Sequence, residues 1–392
     1  MPLMDRRAFL RAGAGVAALC GPWAAVAQEP PRVRGVIWLW MDGAVSPSLT
    51  WDPKPGGKAK AIPTAVPDIQ ISDLLPICAS QMKNLSIVRS VTHGLGDLAF
   101  ATWAMHTGWT SGFPKDVPTL GTILAHELAR PDLSLPPNIV LDGPEIPESP
   151  VFGEGSLPFR LQSSRNPIPN LHRTVDATRD RDRAGLLLDQ NKDWDSRRLQ
   201  REIARVEQGI AASERLMNTP LLKAFQTAEE PAPLRSDYGN GFGESCLLAR
   251  RLIQAGCGFV EIGLQGWESK PTEELVPLLD QGLGTLVRDL ERKNLLKETV
   301  VVCASAFGRG MQVGTNPWTR GFSVVLAGGA LPGGRVHGDT GEGGLDCKAP
   351  VEIRDLYATL YRACGVDGNQ EYEKESRKVK YVSKGKPIED LF

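Results

Sequence analysis

The residues able to carry metal or acid–base chemistry are few, and they lie beside or after apolar runs. They are Asp42, Asp52, Asp97, Glu268, His93 and His106. Carboxylates and imidazoles are ligands for divalent cations, so His93 and His106 with Asp97 and Glu268 could together form a single metal site. No two of them share a recognised ligand spacing, however. Asp42 suits a ligand or a turn equally, whereas Asp52 precedes Pro53 and is typical of a turn.

A second group of residues has the composition of a recognition surface. Its members are aromatic or cationic and fall in the two segments 267–270 and 309–320: Trp267, Lys270, Arg309, Trp318 and Arg320. Such side chains bury area and form directed hydrogen bonds at little entropic cost. They predict a face that binds a partner protein or an anionic ligand. The plain alternative for Arg309 is a structural salt bridge.

Net charge excludes one class of partner. The chain has 392 residues, with 45 Lys and Arg against 46 Asp and Glu, which gives a formal charge of -1. A nucleic-acid partner requires a clear basic surplus, so we exclude it. Cys246, Cys257 and Cys303 lie in apolar runs and are expected to be buried thiols.

The elements that must position these residues alternate between strand and helix patterns. Apolar runs bounded by turn residues predict strands, and apolar residues at helical spacing predict helices. The strands expected are Val33–Met41, Leu85–Val91, Asn138–Asp142, Phe259–Leu264, Thr299–Ala304 and Phe322–Ala327. The helices expected are Ser72–Gln81, Leu120–Ala129, Tyr238–Ala255, Glu273–Arg292 and Ile353–Cys364. This alternation predicts an α/β fold, a mostly parallel sheet flanked by helices.

A helical insertion interrupts this alternation. Between Arg179 and Met217 the chain is strongly polar, and apolar residues recur at steps of three and four. The stripe is Leu199, Ile203, Val206, Ile210, Ser213 and Met217. It predicts a long helix, which either packs on the flank of the sheet or offers Val206 and Ile210 to a partner protein. Proline-rich loops flank this helix, so 143–235 is a candidate insertion subdomain within a single domain at 28–392.

The N-terminus is typical of a twin-arginine export signal. Arg6-Arg7 precede a modestly apolar run, and Ala25-Val26-Ala27 forms a cleavage site. The run is interrupted by glycine and is shorter than the roughly 20 residues of a membrane span. We therefore expect residues 1–27 to be removed, and the mature protein to lie in the periplasm or outside a bacterial cell without spanning a membrane.

Several motifs along the chain resemble one bacterial exported family. They include Trp51-Asp52-Pro53-Lys54-Pro55, Arg89-Ser90, Leu247-Leu248-Ala249-Arg250-Arg251-Leu252, Phe307-Gly308-Arg309 and Lys384-Gly385-Lys386-Pro387. In that order they resemble domain of unknown function 1501, which is similar to the alkaline phosphatase and sulfatase superfamily. The resemblance runs from about Gly35 to the C-terminus. It implies an open sheet with its site at the C-terminal strand ends.

The resemblance also implies a site of two or so divalent metals, with a Ser, Thr or modified Cys as nucleophile. At the positions matching the expected ligands, however, the chain carries Asp97-Leu98, Lys270, Ala306, Asn316 and Pro317. Ser46 matches a serine of the family's turn and is either a nucleophile or a turn hydroxyl. We therefore expect no metal and no cofactor, and a non-catalytic binding protein. The alternative is a phosphate or sulfate ester hydrolase with a remodelled site.

Overall fold

A ten-stranded sheet runs through the centre of the protein. The computed structural model describes residues 32–112, 114, 117–130, 132–147, 151–162, 175–191, 197–310, 317–341, 347–374, 377–379 and 385–392, so the predicted export signal lies outside the described residues. Residues 32–392 belong to one compact unit. The division into a domain at 28–392 with a subdomain at 143–235 remains a prediction.

The described strands and helices are numbered in chain order. The strands are β1 (Gly35–Val45), β2 (Ala61–Pro63), β3 (Gln70–Ser72), β4 (Leu85–Thr92), β5 (Asn138–Leu141), β6 (Phe159–Leu161), β7 (Phe259–Leu264), β8 (Thr299–Arg309), β9 (Pro317–Trp318), β10 (Phe322–Gly328), β11 (Arg335–His337), β12 (Val351–Glu352), β13 (Tyr372–Lys374) and β14 (Arg377–Val379). The helices are α1 (Pro76–Ser80), α2 (Leu98–Thr107), α3 (Leu120–Leu128), α4 (Ala177–Asn191), α5 (Arg197–Asn218), α6 (Ala232–Tyr238), α7 (Phe242–Ala255), α8 (Thr272–Leu279), α9 (Thr285–Arg292) and α10 (Ile353–Cys364).

The main sheet has the strand order β11-β4-β10-β8-β1-β7-β5-β6, with β12 paired to β4 and β9 paired to β8. The strand β1 pairs in parallel with both β7 and β8, and β5 pairs in parallel with β6 and β7. By contrast, β10 is antiparallel to its neighbours β4 and β8. This confirms the mostly parallel α/β sheet, with β10 as an exception that its apolar pattern could not reveal.

Helices cover both faces of the sheet, so its central strands are buried on both sides. One core packs α1, α7, α8 and α9 against residues such as Ile37 and Leu39 of β1. The other core packs α2, α3 and α10 against Trp38 and Trp40. These tryptophans alternate with Ile37 and Leu39 along β1 and therefore point to the opposite face of the sheet. The continuous apolar run at the start of the sequence therefore becomes the central strand.

Two predicted helices differ from the observed elements. The predicted helix Ser72–Gln81 is shorter than expected and contains only α1. Its first residue, Ser72, belongs to β3, which pairs with β2. The predicted helix Glu273–Arg292 contains Pro277 and is divided by a π-helical turn at Asp280–Gly284. In that turn the Asp280 carboxylate accepts the backbone N–H groups of Ile77 and Cys78 at 2.9 and 2.8 Å, and so caps the first turn of α1.

The helix with the motif Leu247–Leu252 is α7, and its arginines lie in a buried ion-pair network. Arg250 is only 2% exposed. Its guanidinium lies 3.0 Å from Asp289 of α9 and 2.9 Å from Glu230. Tyr238 donates its hydroxyl to the same Asp289 at 3.1 Å. This motif therefore joins three segments of the fold and lies away from the strand ends.

The insertion helix is present as α5, which spans the predicted stripe. Its C-terminal end reaches the main core, where Leu216 is 6% exposed. Ile210 is partly buried, and the side chain of Val206 lies outside the described residues. Cys246, Cys257 and Cys303 are buried thiols, as predicted. None of the described helices is both long enough and apolar enough to cross a bilayer.

Candidate functional site

The carboxyl ends of four strands lie along one edge of the sheet. The strands β7 and β8 run parallel to β1, and β4 shares their direction because β4 and β8 are both antiparallel to β10. Ser46, His93, Glu268 and Arg309 lie at or just beyond these strand ends. The structure thus brings together residues that are far apart in sequence, at the edge where α/β folds bind ligands.

Glu268 supports the turn at the end of β1. Its Oε1 atom accepts the backbone N–H of Ala44 at 2.9 Å, beside an irregularity in the pairing of β1 with β8. Gly43 has a φ of 136°, and a Cβ there would lie 2.6 Å from the same oxygen, so the turn requires glycine. Arg309 approaches from the other side, with 3.8 Å between its Nη2 and Glu268 Oε2. Arg309 Nη2 also donates to the Trp267 carbonyl at 2.7 Å.

His93 uses both of its ring nitrogens within the protein. Nδ1 accepts the backbone N–H of Leu95 at 3.0 Å, so Nε2 carries the proton and donates it to the Ala306 carbonyl at 2.7 Å. Burial lowers the pKa of His93, which keeps the ring neutral. In this state His93 braces the end of β4 against β8 and has no lone pair left for a metal.

His106 lies deeper, beneath the central strand. It is 5% exposed, and its Nδ1 lies 2.7 Å from the Thr102 carbonyl one turn earlier in α2. Its Nε2 lies 3.2 Å from Oε1 of Glu261, a buried carboxylate on β7. The ring centroid of Trp40 is 4.4 Å from that of His106.

Asp52 is buried in an ion-pair network and does not face the solvent. Its two carboxylate oxygens lie 2.8 Å from Lys54 Nζ and 3.4 Å from Arg89 Nη1. Thr340 also donates its hydroxyl to Asp52, and Lys54 Nζ lies 3.0 Å from Asp339. The side chains of Asp52 and Lys54 are only 3% and 8% exposed. The turn predicted at Asp52 is therefore tied to β4 and to the loop after β11.

Asp42 is half-buried among other carboxylates. Burial raises its pKa, and the nearby negative charges of Glu268 and Glu261 raise it further. The sequence left Asp42 as either a ligand or a turn residue. Asp42 lies near the end of β1 beside other carboxylates, and both alternatives, a metal ligand and a turn residue, stay predictions.

Ser46 is 5% exposed and belongs to a tight turn. Its hydroxyl lies 3.1 Å from the hydroxyl of Ser48, and its carbonyl accepts the Thr50 hydroxyl at 2.8 Å. A short 3-10 helix, Pro47–Leu49, follows directly. These contacts place Ser46 in the turn, and its role as nucleophile or turn hydroxyl stays a prediction.

A small pocket opens beside this turn. Ser48, Asp52, Lys54, Arg309, Trp318 and Thr340 line it, together with Pro47. The Nε atom of Arg309 and the Nε1 atom of Trp318 are buried donors with no hydrogen-bond partner among the described residues. The lining includes the guanidinium of Arg309, the ammonium of Lys54 and the indole of Trp318, and such donors suit an acceptor or an anion.

The predicted recognition surface needs one correction. Trp267, expected on that surface, is fully buried, because its indole packs in the same hydrophobic core as Ile37 and Leu39. Trp318 is partly buried, whereas Lys270 and Arg320 are exposed. Of the predicted group, only Arg309 and Trp318 line the pocket.

The residues present do not fit the metals that the resemblance implies. Among the described residues, no group of three or more His, Cys, Asp or Glu side chains is placed to hold a metal ion. Asp97, which matches an expected ligand, instead caps α2 by accepting the Phe100 N–H at 3.0 Å. The position matching a ligand on β8 is Ala306, whose carbonyl holds His93.

Sequence reasoning overlooked some residues of this region. Lys54, Arg89 and Thr340 form the network around Asp52, although only Lys54 and Arg89 lie in motifs that stood out. The signal for Glu261 was stronger, because it is a carboxylate inside the apolar run 259–264. A charge in a strand buried on both faces requires a partner, and that partner is His106.

Comparison with known proteins assigns the chain to a family. The profile described as "Protein of unknown function (DUF1501)" matches residues 33–392. The chain belongs to this family. No curated protein sequence matches it. The DUF1501 assignment confirms the resemblance drawn from the motifs between Trp51 and Pro387.

Several solved structures have a similar arrangement of elements. The PsFucS1 sulfatase from Pseudoalteromonas sp. is 13% identical with a TM-score of 0.42, covering 94% of this chain and 73% of that one. A protein in the alkaline phosphatase superfamily from Vibrio parahaemolyticus is 12% identical with a TM-score of 0.41, covering 86% and 67%. The lipoteichoic acid synthase LtaP from Listeria monocytogenes is 10% identical with a TM-score of 0.39, covering 89% and 74%. At such values the similarity says nothing of activity.

Proposed function

We propose that this DUF1501 protein is a non-catalytic binding protein, and that its strand-end pocket holds an anionic ligand. One observation carries the proposal: the residues that could have formed a metal site are already engaged with the protein itself. His93 uses both ring nitrogens, Glu268 holds the Ala44 N–H, and Asp52 is neutralised by Lys54 and Arg89.

The pocket supports an anion as the ligand. Arg309 has only one nearby carboxylate among the described residues, Glu268, at 3.8 Å and half-exposed. Such a distant and solvated pair neutralises the guanidinium weakly. Trp318 adds an indole donor and Ser48 a hydroxyl at the same wall. A ligand with negatively charged oxygens would satisfy these donors without a cation.

Two measurements test the proposal on the mature protein purified without chelator. Elemental mass spectrometry is expected to find less than stoichiometric zinc, calcium or manganese. Inorganic sulfate and phosphate are expected to raise the melting temperature of the wild type and to raise that of Arg309→Gln much less. Arg320→Gln is the matched control, because Arg320 is exposed and lies two residues after β9, which pairs with the end of β8. Equal stabilisation of both variants would contradict the proposal.

The competing candidate is a metal-dependent phosphate or sulfate ester hydrolase with a remodelled site. The raised pKa of Asp42 favours it, because crowded carboxylates are relieved by a cation. It requires one metal per chain and turnover of aryl phosphates or sulfates. Glu268→Ala and His106→Ala would then abolish both activity and metal binding, whereas the binding proposal expects no activity to lose.

The alternative to an anion in the pocket is a partner protein that binds to α5. A pull-down with the wild type, compared with Val206→Glu plus Ile210→Glu, separates it from the pocket. If that double variant loses a partner while Trp318→Ala plus Arg309→Ala retains it, binding resides on the helix. The reverse result places binding in the pocket.

We also propose export through the twin-arginine route to the periplasm or cell exterior, on the strength of Arg6-Arg7 and the Ala25–Ala27 cleavage site. Replacing both arginines with lysine is expected to retain the protein in the cytoplasm with its N-terminus uncleaved. Unchanged periplasmic yield of that variant would overturn this route.

A further inference from the structure

Two buried acceptors lie on the wall of the pocket beside its donors. Asp52 and Thr340 line the pocket together with Arg309 and Trp318. Asp52 is 3% exposed and Thr340 is 2% exposed, so bulk water hydrates neither side chain well. A ligand in the pocket must therefore match acceptors as well as donors.

The Thr340 hydroxyl is restricted to accepting hydrogen bonds from a ligand. It donates its own proton to Asp52 Oδ2 at 2.5 Å. Asp52 is paired with Lys54 at 2.8 Å and with Arg89 at 3.4 Å, so it is an ionised carboxylate with no proton to give back. A hydroxyl has one proton and two lone pairs, and the lone pairs of Thr340 are what remains for a ligand.

The second carboxylate oxygen of Asp52 also keeps the capacity to accept. The 3.4 Å between Oδ1 and Arg89 Nη1 exceeds the roughly 3.2 Å of an ordinary N–H···O hydrogen bond. Lys54 and Thr340 both contact the other oxygen, Oδ2. Within the described part of the chain, Oδ1 therefore retains lone pairs for a proton that a ligand supplies.

These acceptors distinguish between two anions of the same shape and charge. Sulfate carries no proton at neutral pH, so its oxygens would bring only lone pairs against those of Asp52 and Thr340. Hydrogen phosphate is also tetrahedral, but it keeps a proton. Its P–OH group donates to an acceptor while its other oxygens accept from Arg309 and Trp318. An unmatched buried acceptor rejects the wrong ligand and so provides specificity.

The same acceptors separate free phosphate from a phosphoryl group on a larger molecule. A phosphate monoester loses its last proton at a pKa of about 6, so at about pH 7.5 it presents only acceptors. Free phosphate still carries a proton at that pH. The polarity of the wall therefore favours the inorganic ion.

We propose that the pocket, which rests on the proposed function as an anion site, selects hydrogen phosphate over sulfate and over phosphate esters. Asp52 accepts the proton of the ligand, and Thr340 is a second acceptor. Arg309 and Trp318 donate to the charged oxygens. Selection comes from hydrogen-bond polarity, since sulfate and hydrogen phosphate do not differ in shape or charge.

Calorimetric titration of the mature protein with sodium phosphate, sodium sulfate and methyl phosphate, at about pH 7.5 and equal ionic strength, tests this selection. We expect phosphate to bind at least about tenfold more tightly than either of the others, because one unmatched buried hydrogen bond has an effect of this size. Sulfate or methyl phosphate binding as tightly as phosphate would overturn the selection without contradicting the anion pocket. Binding of none of the three would overturn the pocket itself, and the selection with it.

An asparagine at position 52 gives an independent outcome. The amide of Asp52→Asn can donate to an unprotonated anion, so we expect the preference for phosphate over sulfate to disappear. Asp339→Asn is the matched control, because Asp339 also pairs with Lys54, at 3.0 Å, but is 47% exposed and does not line the pocket. This control should keep the full preference. An undiminished preference in Asp52→Asn would overturn the role of Asp52. If that variant does not fold, the comparison of the three anions on the wild type still decides.

Discussion

Several side chains of metal-binding type in this protein are not free to bind a metal, because they already contact the protein itself. His93, His106, Asp52 and Glu268 are of types that bind metals, yet each makes close polar contacts with the protein. His93 shows this most directly, because a single neutral ring bridges the Leu95 N–H and the Ala306 carbonyl. One of those two contacts, the Ala306 carbonyl, comes from a residue 213 positions away, so residue type alone could not reveal it. What the sequence did reveal was the replacement of the expected ligands.

At the scale of single residues, Asp42 should give the protein a pH-dependent stability. Burial raises its pKa, so the folded protein binds this proton more tightly than the unfolded chain does. Ionised Asp42 therefore destabilises the folded protein at neutral pH. This destabilisation disappears as the pH falls below the pKa that an aspartate has in the unfolded chain. We expect Asp42→Asn to be stabilising relative to the wild type at pH 7, with the gain shrinking towards about pH 3.

Urea unfolding of the two proteins across this pH range measures the effect of Asp42. Asp97→Asn is the matched control, since Asp97 is exposed and asparagine caps a helix equally well. A stability gain from Asp42→Asn that does not change with pH would contradict the prediction.

At the scale of elements, the central pattern of strands and helices was predictable and its interruptions were not. The strand Phe259–Leu264 and the helix Ile353–Cys364 were predicted to the residue, because long apolar patterns dominate their local sequence. The π turn after Pro277 and the reversed direction of β10 depend on contacts with other elements. Hydrophobic periodicity carries no information on either.

Asp280 illustrates how one residue can hold two elements together. Its carboxylate accepts two backbone N–H groups at the start of α1, a helix of only five residues. Removing the carboxylate would leave these donors unpaired in a mostly buried place. We expect Asp280→Ala to lower the free energy of unfolding by about 1–3 kcal/mol. Glu274→Ala, at an exposed position of α8, should change it by less than about 0.5 kcal/mol.

Thermal or urea denaturation distinguishes the Asp280 and Glu274 variants. Similar losses for both would show that Asp280 is not a significant cap.

At the scale of the whole molecule, the buried arginine of α7 joins segments that the sheet alone does not connect. Arg250→Ala would remove the buried guanidinium that lies 3.0 Å from Asp289, whereas Glu230 would keep its ion pair with Arg251. We expect a loss of about 3–5 kcal/mol in the free energy of unfolding, because a single buried partner left unpaired is strongly destabilising. The control Arg292→Ala, on the exposed face of α9, should have little effect. Equal unfolding midpoints for the two variants would contradict a central role for Arg250.

The position of β1 between β7 and β8 has a consequence for synthesis on the ribosome. Residues Val36–Met41 pair with partners roughly 220 positions later on one side and about 260 on the other, so these contacts are among the least local a chain of this length can form. An apolar strand made early must therefore wait, unpaired, until most of the chain has emerged. During that interval the tryptophans of β1 are exposed to aggregation, and a chaperone that shields this segment would raise the yield of folded protein.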